Sequence, residues 1–590
     1  MNLDPILWVH CHQALVAKII GECAYEECWH PTTADGQTYQ LMLNDQHQYQ
    51  FCAERSIWGW LQVDPKSIRY QDKPVTSVIE FLLHAQKDLQ LNDIDLGNFL
   101  EEVQNTLYSS YRQQQRLSAF TAADMVELEQ PVLQSLLEGH PKAIANKGRM
   151  GWGSDELNRY APESGKSARL MLILVSRKLC TVGYESDRDP WRILEKHLSA
   201  DLMSAVTGNL KRRGANLADY YPVPVHPWQW QRYIVIQYQS WIQSGDIVPV
   251  GELEDDYLPQ QSIRTFSNLS TESGFDIKLP LTILNTSCYR GIPGKHIATG
   301  AELSRWLHCV AEVDPVLSRY MIVQREVCGI HCGHPVQEQV PETPYRYREM
   351  LGVVWRESLE SHLAPDERGI LMATLMQCDA EGKSLAAEYI CRSTLDPEAW
   401  LRQLFDVVVV PLYHLMSKYG VGLVAHGQNI SVVLKDFVPV RMSVKDFHGD
   451  LRIVDQNFSE LAAMPADVKE SLTKLPAEYL IHDLVTGHFV TTLRFISPLI
   501  EKQCGVPEAR FYSLLADVLK EYQRQHPELS DRYQLFPLFT DTILKVCINR
   551  VRFRIGYADS ADRPVPELGT PIINPLVVEN VTENHYDTAS

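Results

Sequence analysis

Four stretches of this chain gather cationic, amide and carboxylate side chains that packing alone would not select. In the first, Gly139-His140-Pro141-Lys142 runs on to Asn146-Lys147-Gly148-Arg149-Met150-Gly151. Gly and Pro fix a loop there, and Lys147 with Arg149 can clamp an anion, since Arg presents a planar fork of donors. A solvated basic loop is the plainer alternative. The second stretch, Ser262-Ile263-Arg264-Thr265, flanks an Arg with two hydroxyls, a grouping that suits phosphate oxygens but is common by chance. In the third, Lys278-Leu279-Pro280-Leu281 leads to Asn285, Thr286, Ser287 and Arg290. Lys278, Thr286 and Arg290 are even numbers apart and share one side if a single strand runs unbroken past Pro280. Cations in so apolar a stretch must meet a ligand or an ion-pair partner, because burying an unpaired charge is expensive.

The fourth stretch is His426-Gly427-Gln428-Asn429, followed by Lys445-Asp446-Phe447-His448-Gly449-Asp450. Asn429 and Asp446 are hard oxygen ligands of the kind that hold Mg2+ on nucleotide phosphates with few protein contacts. His426 can meet a phosphate or substrate oxygen; a His and Asn capping a turn is the bland reading. Phosphate loops of known type are missing. Gly165-Lys166-Ser167 ends like a Walker A motif, but its leading glycine position is Tyr160. No GxGxxG follows a strand and no GxSxG elbow occurs. Basic clamps plus an oxygen-ligand site therefore point to a non-Walker ATP user.

The elements that must carry these residues read as an α+β protein. Up to about residue 125, helical stretches are mixed with a strand-like one, Tyr49 to Val63. Ser77 to Gln90 puts Val78, Leu82, Ala85 and Leu89 on one helical face with Ser77 as N-cap. The middle is sheet-rich, with Ile277 to Tyr289 a strand broken at Pro280. The last third is mainly helical. Leu401, Leu404, Phe405, Val408, Val409, Leu412 and Leu415 form a helical ladder ended by Gly420, with a buried strand at Val407–Val410 as the competing reading. Ser431–Leu434 and Val440–Val444 read as a hairpin turning at Pro439. A long helix follows around Tyr479 to Phe495.

Composition limits the function. The 590 residues exceed one core and fit two or three lobes; 45% are apolar and 22% charged, as in a soluble globular protein. Acids outnumber bases 74 to 55, a net charge of −19 that argues against a nucleic-acid partner. The start Met1-Asn2-Leu3-Asp4 lacks a signal peptide's basic and apolar regions, and Val407–Leu412 is too short to span a bilayer, so a cytoplasmic location without membrane contact is expected. The 13 cysteines have no repeating spacing and read as reduced thiols. Cys328, His331, Cys332 and His334 are soft ligands at short spacing but lack a second pair at zinc-finger distance.

With the motifs GHP…K.R.G, Val225-His226-Pro227-Trp228-Gln229, SxRT, KLPL…T…R, HGQN and DFxGD in this order, the chain resembles, over nearly its full length, the NRPS-independent siderophore synthetases of the IucA/IucC type. The resemblance implies a cupped hand of three subdomains, a thumb at 1–138, fingers at 139–365 and a palm at 366–590, and a homodimer. It implies Mg-ATP and an AMP-forming ligase: a citrate-type carboxylate attacks the α-phosphorus, and an amine then displaces AMP. Carried over by motif, Lys147, Arg149, Ser262, Arg264, Thr265, Lys278, His426, Gln428, Asn429 and Asp446 are expected at ATP, with Asp446 and Asn429 on the metal. His140, Thr286, Arg290 and Lys545 are expected at the substrate carboxylate, and His426, Arg290 and Lys278 act in catalysis. Two departures concern the acid. A second His-Pro after GHP is Ala143-Ile144 here, and a Glu two residues before the HGQN His is Val424. Both suggest a citrate already amidated once, so that citryl-N6-acetyl-N6-hydroxylysine would be joined to a second N6-acetyl-N6-hydroxylysine; another hydroxamate amine, or ring closure of a hydroxamate acid, remains open. HGQN followed by DFxG also echoes a kinase, although Gly427-Gln428 replaces the Arg-Asp that would supply its base. A non-catalytic protein that binds ferric siderophores is the third possibility.

Overall fold

The computed structural model describes residues 4–270, 274–286, 288–447, 449–557, 559 and 567–578; Ser287 and His448 of the motifs lie outside them. Helix α1 (Pro5–Tyr25) starts at Asp4, whose carboxylate accepts from the Ile6 and Leu7 amides, with Pro5 at the position where a missing N–H does no harm. It packs with α2 (Asp93–Leu117) and a six-stranded sheet around Val16, Ile19, Ile20, Phe81 and Val103. This lobe is therefore less helical than expected. The reason is period-2 burial in Thr38–Leu43, where Tyr39, Leu41 and Leu43 are buried. The turn to His47–Arg55 begins at Asn44-Asp45, both with positive φ, as a tight hairpin requires. The strand expected from Tyr49 to Val63 is two strands, ending at Arg55 and resuming at Leu61. Ser77 caps Val78–Ala85 as expected, its hydroxyl accepting from the Glu80 amide.

In the middle of the chain, β1 (Thr265–Asn268) and β2 (Phe275–Lys278) are neighbours in an antiparallel six-stranded sheet. The expected single strand from Ile277 does not form. After Pro280 the chain leaves that sheet and makes a separate hairpin, β3 (Leu281–Asn285) with β4 (Cys288–Arg290). Beyond Pro280, Thr286 at its tip has φ 63°, so Lys278, Thr286 and Arg290 meet through a change of sheet rather than along one strand face. On the other edge of β2 lies β5 (Gly352–Glu357), which carries Arg356.

Helix α3 (Pro397–Tyr419) decides the Val407–Val410 ambiguity in favour of helix. Asp396 caps its start and Gly420, at φ 64°, ends it. A Cβ at Gly420 would sit 2.6 Å from Val454 Cγ1, so both conformation and space require glycine. After β6 (Val421–Leu423), β7 (Ile430–Lys435) and β8 (Val438–Val444) form the expected hairpin. Its turn is Asp436-Phe437, both left-handed, and Pro439 lies inside β8 at the register irregularity. The helix expected at Tyr479–Phe495 is segmented: two short turns, a π-helical stretch Val485–Leu493, then α4 (Arg494–Cys504). No described helix is long and apolar enough to cross a membrane. Near the end, α5 (Asn549–Ile555) returns to the first lobe, where Phe553 packs edge-on against Phe99.

First and last regions are joined by Arg494, wholly buried, which donates to both oxygens of Glu22 at 2.9 and 3.0 Å and lies 4.2 Å over the Tyr25 ring. Removing one partner of such a pair leaves an uncompensated buried charge. Arg494→Met should therefore lower the unfolding free energy by about 3–5 kcal/mol in urea denaturation of the full chain. A loss below 1 kcal/mol would show that Glu22 finds another partner.

Candidate active site

The sequence motifs converge on one cavity of 570 Å³. Its floor and sides come from the loop carrying His140, Lys147 and Arg149, from the turn carrying Ser262 and Arg264, from Lys278 at the end of β2, and from Thr286 and Arg290 at the β3–β4 hairpin. His426, Gln428, Asn429 and Asp446 close it from the last region. Gly427 fits here because the chain runs against Ala373, whose amide donates to the Gly427 carbonyl at 2.9 Å.

Two expected residues lie elsewhere. Thr265 is 1% exposed, opposite Lys278 in the β1–β2 register; its amide donates to Ser262 Oγ at 3.1 Å, so it shapes the turn instead of lining the cavity. Lys545 is held by Glu27 at 3.1 Å, outside the cavity, and a bound carboxylate would have to displace that partner. Arg149 lines the cavity, but its fork is committed to Glu163, with one N–O distance of 2.9 Å, so it is not the open anion clamp expected. Lys147, far from solvated at 3% exposed, donates to Gln113 at 2.5 Å and lies 3.6 Å from Glu138.

Arg290 lines the cavity from the β3–β4 hairpin. It donates to the Asn285 carbonyl at 2.7 Å and to Thr286 Oγ1, while its Nε has no protein partner. Across the cavity, Asp446 has φ 63° and is bound by Lys278 at 2.5 Å and Arg356 at 3.3 Å. Burial raises its pKa, but these two cations outweigh burial and hold the carboxyl well below its usual range. Asn429 donates from Nδ2 to Asp450 at 3.0 Å and to the Val424 carbonyl at 3.3 Å, which leaves Oδ1 as an acceptor. Asp446, Asn429 and Asp450 thus line the cavity with oxygen donors of the type that suits Mg2+, with each Asp446 oxygen already facing a cation, Lys278 or Arg356, whose place a metal would share.

Two histidines face this charge uncharged. Burial is the main cause in both, lowering His426 and pushing His140 down to about 3. In each, Nδ1 accepts a backbone N–H, from Gln428 at 3.3 Å and from Ala143 at 3.0 Å, which assigns the proton to Nε2 and makes each ring a neutral donor. Sequence reading missed Lys18, Trp60, Gln62, Thr491 and Phe495, which wall the cavity from the first lobe and α4 side. Lys18 gave a signal of the same kind as Lys278, a lone cation in an apolar run; burial draws it down to about 8, and its Nζ donates to the His140 carbonyl at 3.0 Å. The soft-ligand cluster is taken up by other bonds: His331 and His334 hydrogen-bond the Arg348 and Gln237 carbonyls at 2.8 and 2.9 Å, and Cys332 Sγ lies 3.0 Å from Cys180. Among the described residues no three His, Cys, Asp or Glu side chains are grouped to hold a metal.

The chain is 42% identical to the aerobactin synthase of Escherichia coli, over 96% of its own length and 98% of that protein's. The chain belongs to the IucA/IucC family. The family profile matches residues 126–377, and a profile described as "Ferric iron reductase FhuF-like transporter" matches residues 398–560. Aerobactin synthetase IucC of Klebsiella pneumoniae superposes with a TM-score of 0.87 at 39% identity, covering 97% of this chain and 99% of that one. ATP-bound IucA of the same organism, 17% identical with a TM-score of 0.76 over 98% of this chain and all of that one, shares the family fold.

The buried neutral histidines set a pH dependence. His140 and His226 titrate near 3 and His488 near 4 in the folded chain because burial disfavours their charged forms. Below their ordinary value of about 6.5 the unfolded chain binds protons that the folded chain refuses, so stability falls as pH falls. Each contributes up to about 1.4 kcal/mol per pH unit. His226→Gln should flatten the stability slope between pH 6 and 4.5 by about one proton, measured by urea titration at each pH. An unchanged slope would mean that His226 is protonated in the fold.

Proposed function

We propose that this chain is an AMP-forming siderophore ligase that adenylates a citrate-type carboxylate with ATP and condenses it with a hydroxamate amine. The observation that supports this best is that cationic clamps, two neutral His donors and an oxygen donor set, from motifs up to about 300 residues apart, line one cavity. Two relatives are named aerobactin synthases; with Ala143-Ile144 and Val424 at the two departing motif positions, the acid we propose is citryl-N6-acetyl-N6-hydroxylysine and the amine N6-acetyl-N6-hydroxylysine.

In this reading Arg290 and Thr286 hold the acid so that one carboxylate oxygen faces the α-phosphorus. That oxygen bonds to phosphorus as pyrophosphate leaves. Arg264 and Lys278 offset the charge that grows on the phosphoryl oxygens, and such fixed cations in a dry site supply much of the rate. The His426 Nε2–H steadies an oxygen of the acyl phosphate without adding charge. The amine nitrogen then attacks the acyl carbon, AMP departs, and the nitrogen gives up its proton. Asp446, Asn429 and Asp450 would hold Mg2+, which when bound neutralises phosphate charge. We further assign residues 1–138, 139–365 and 366–590 to thumb, fingers and palm, and place the enzyme in the cytoplasm as a homodimer, which sedimentation velocity tests directly.

Incubating the protein with ATP, Mg2+, the citryl acid and the hydroxamate amine should yield AMP, pyrophosphate and one new amide per turnover, read by mass spectrometry. ADP as product would replace this reading with a phosphotransferase. Lys278→Ala should lower kcat/KM by about 10²–10³-fold, and Arg290→Lys should raise the KM for the acid by about tenfold, because an ammonium cannot reproduce the planar fork. Equal effects of Arg290→Lys on the KM for acid and ATP would remove Arg290 from the acid.

A further inference from the structure

Three residues outside every motif run from the first lobe to the back of the acid clamp. On α5, Arg552 donates from Nε to the Thr286 carbonyl at 3.0 Å and from a terminal nitrogen to Glu102 Oε2 at 3.2 Å. Tyr557 donates its hydroxyl to that same carboxylate oxygen at 2.6 Å, and the Arg552 guanidinium lies 4.2 Å over the Tyr557 ring. Glu102, 1% exposed on α2, gives the array a rigid base. Arg552 does not line the 570 Å³ cavity; it lines a smaller one of 150 Å³ that shares His140 and Thr286 with it, and its direct bond toward the larger cavity is the one to the Thr286 carbonyl.

Thr286 needs such support. A β-branched residue at φ 63° is unusual, because the Cβ crowds the backbone. Its carbonyl accepts from Arg552 behind and its hydroxyl from Arg290 in front, so one residue transmits the position of α5 to the guanidinium. Helix α5 itself is fixed by Phe553 against Phe99, at 5.2 Å between centroids. Asn549 on the same helix accepts from the Ile144 amide at 3.2 Å and donates to the Lys142 carbonyl at 3.1 Å, so α5 braces the His140 loop as well.

We propose that Arg552, oriented by Glu102 and Tyr557, is a positioning residue for the carboxylate substrate, holding Thr286 in its left-handed conformation and thereby setting the angle of Arg290. This rests on Arg290 as the acid clamp. Arg552→Lys keeps a cation opposite Glu102 but cannot serve Glu102 and the Thr286 carbonyl through two separate nitrogens. It should raise the KM for the acid about tenfold while leaving the KM for ATP within twofold. Thr286→Ala should do the same, and the double variant should be no worse than the poorer single one, since both act on one contact chain. Independently of turnover, amide hydrogen exchange across residues 284–291 of the full chain should quicken about tenfold in Arg552→Lys. Should that variant misfold, Tyr557→Phe, which removes one donor to Glu102, should show the same pattern at about threefold. An unchanged acid KM, unchanged exchange at 284–291, or multiplying single effects would each overturn the proposal. If the wild-type chain forms no AMP with any acid, the ligase reading fails, and the exchange measurement still decides whether Arg552 holds the hairpin.

Discussion

Everything at the centre of this molecule depends on one partly buried ion pair, Lys278 with Asp446. The two residues are 168 positions apart, on the end of β2 and just past β8, and they meet at 2.5 Å. Arg356, from the strand beside β2, completes the array by bonding Asp446 at 3.3 Å and Asp276 at 3.0 Å. Charges so buried are tolerated only when each has a partner, which forces the middle sheet and the β7–β8 hairpin into a fixed relation. The same array stores cations next to the oxygen donors Asn429 and Asp450, so the constraint that joins the two regions also prepares the cavity for a polyanion.

Around that core the electrostatics are divided by burial. Cations are paired with carboxylates, as Arg149 is with Glu163, while desolvation lowers the pKa of His140 and His426. A chain with a net charge of −19 therefore encloses a cavity whose walls carry Lys18, Lys147, Arg264, Lys278 and Arg290. The contrast lies in placement rather than composition, since most of the acids are exposed to solvent where water screens them.

The motif residues were legible in the sequence because their types contradict their surroundings: Lys278 and Arg290 stand in apolar strands, and Asn429 and Asp446 flank a hairpin. Periodicity also gave α3 and the Ser77 cap. It could not give the break at Pro280 its consequence, because leaving one sheet for another is decided by partners distant in sequence. Nor could it tell a ligand cation from a structural one. Arg149 reads as an open clamp in the chain, and Lys545 is expected from the resemblance, but each is paired with a carboxylate, Glu163 and Glu27, as Lys278 is with Asp446. In the first lobe the sequence showed the Tyr49–Val63 stretch but not its neighbour Thr38–Leu43, which is short and whose buried face is only Tyr39, Leu41 and Leu43. The segmented Val485–Leu493 stretch escaped for another reason: a π-helix has nearly the same residue pattern as an α-helix and differs only in which backbone groups pair.

The position of α5 in the chain has a consequence for synthesis. Asn549 and Arg552, among the last described residues, brace loops whose own residues leave the ribosome some 260 to 410 positions earlier. The His140 loop and the Thr286 hairpin are thus translated long before their support exists. In a nascent chain the His140 loop and the Thr286 hairpin stay unbraced until α5 has emerged, so assembly of this side of the cavity waits on α5.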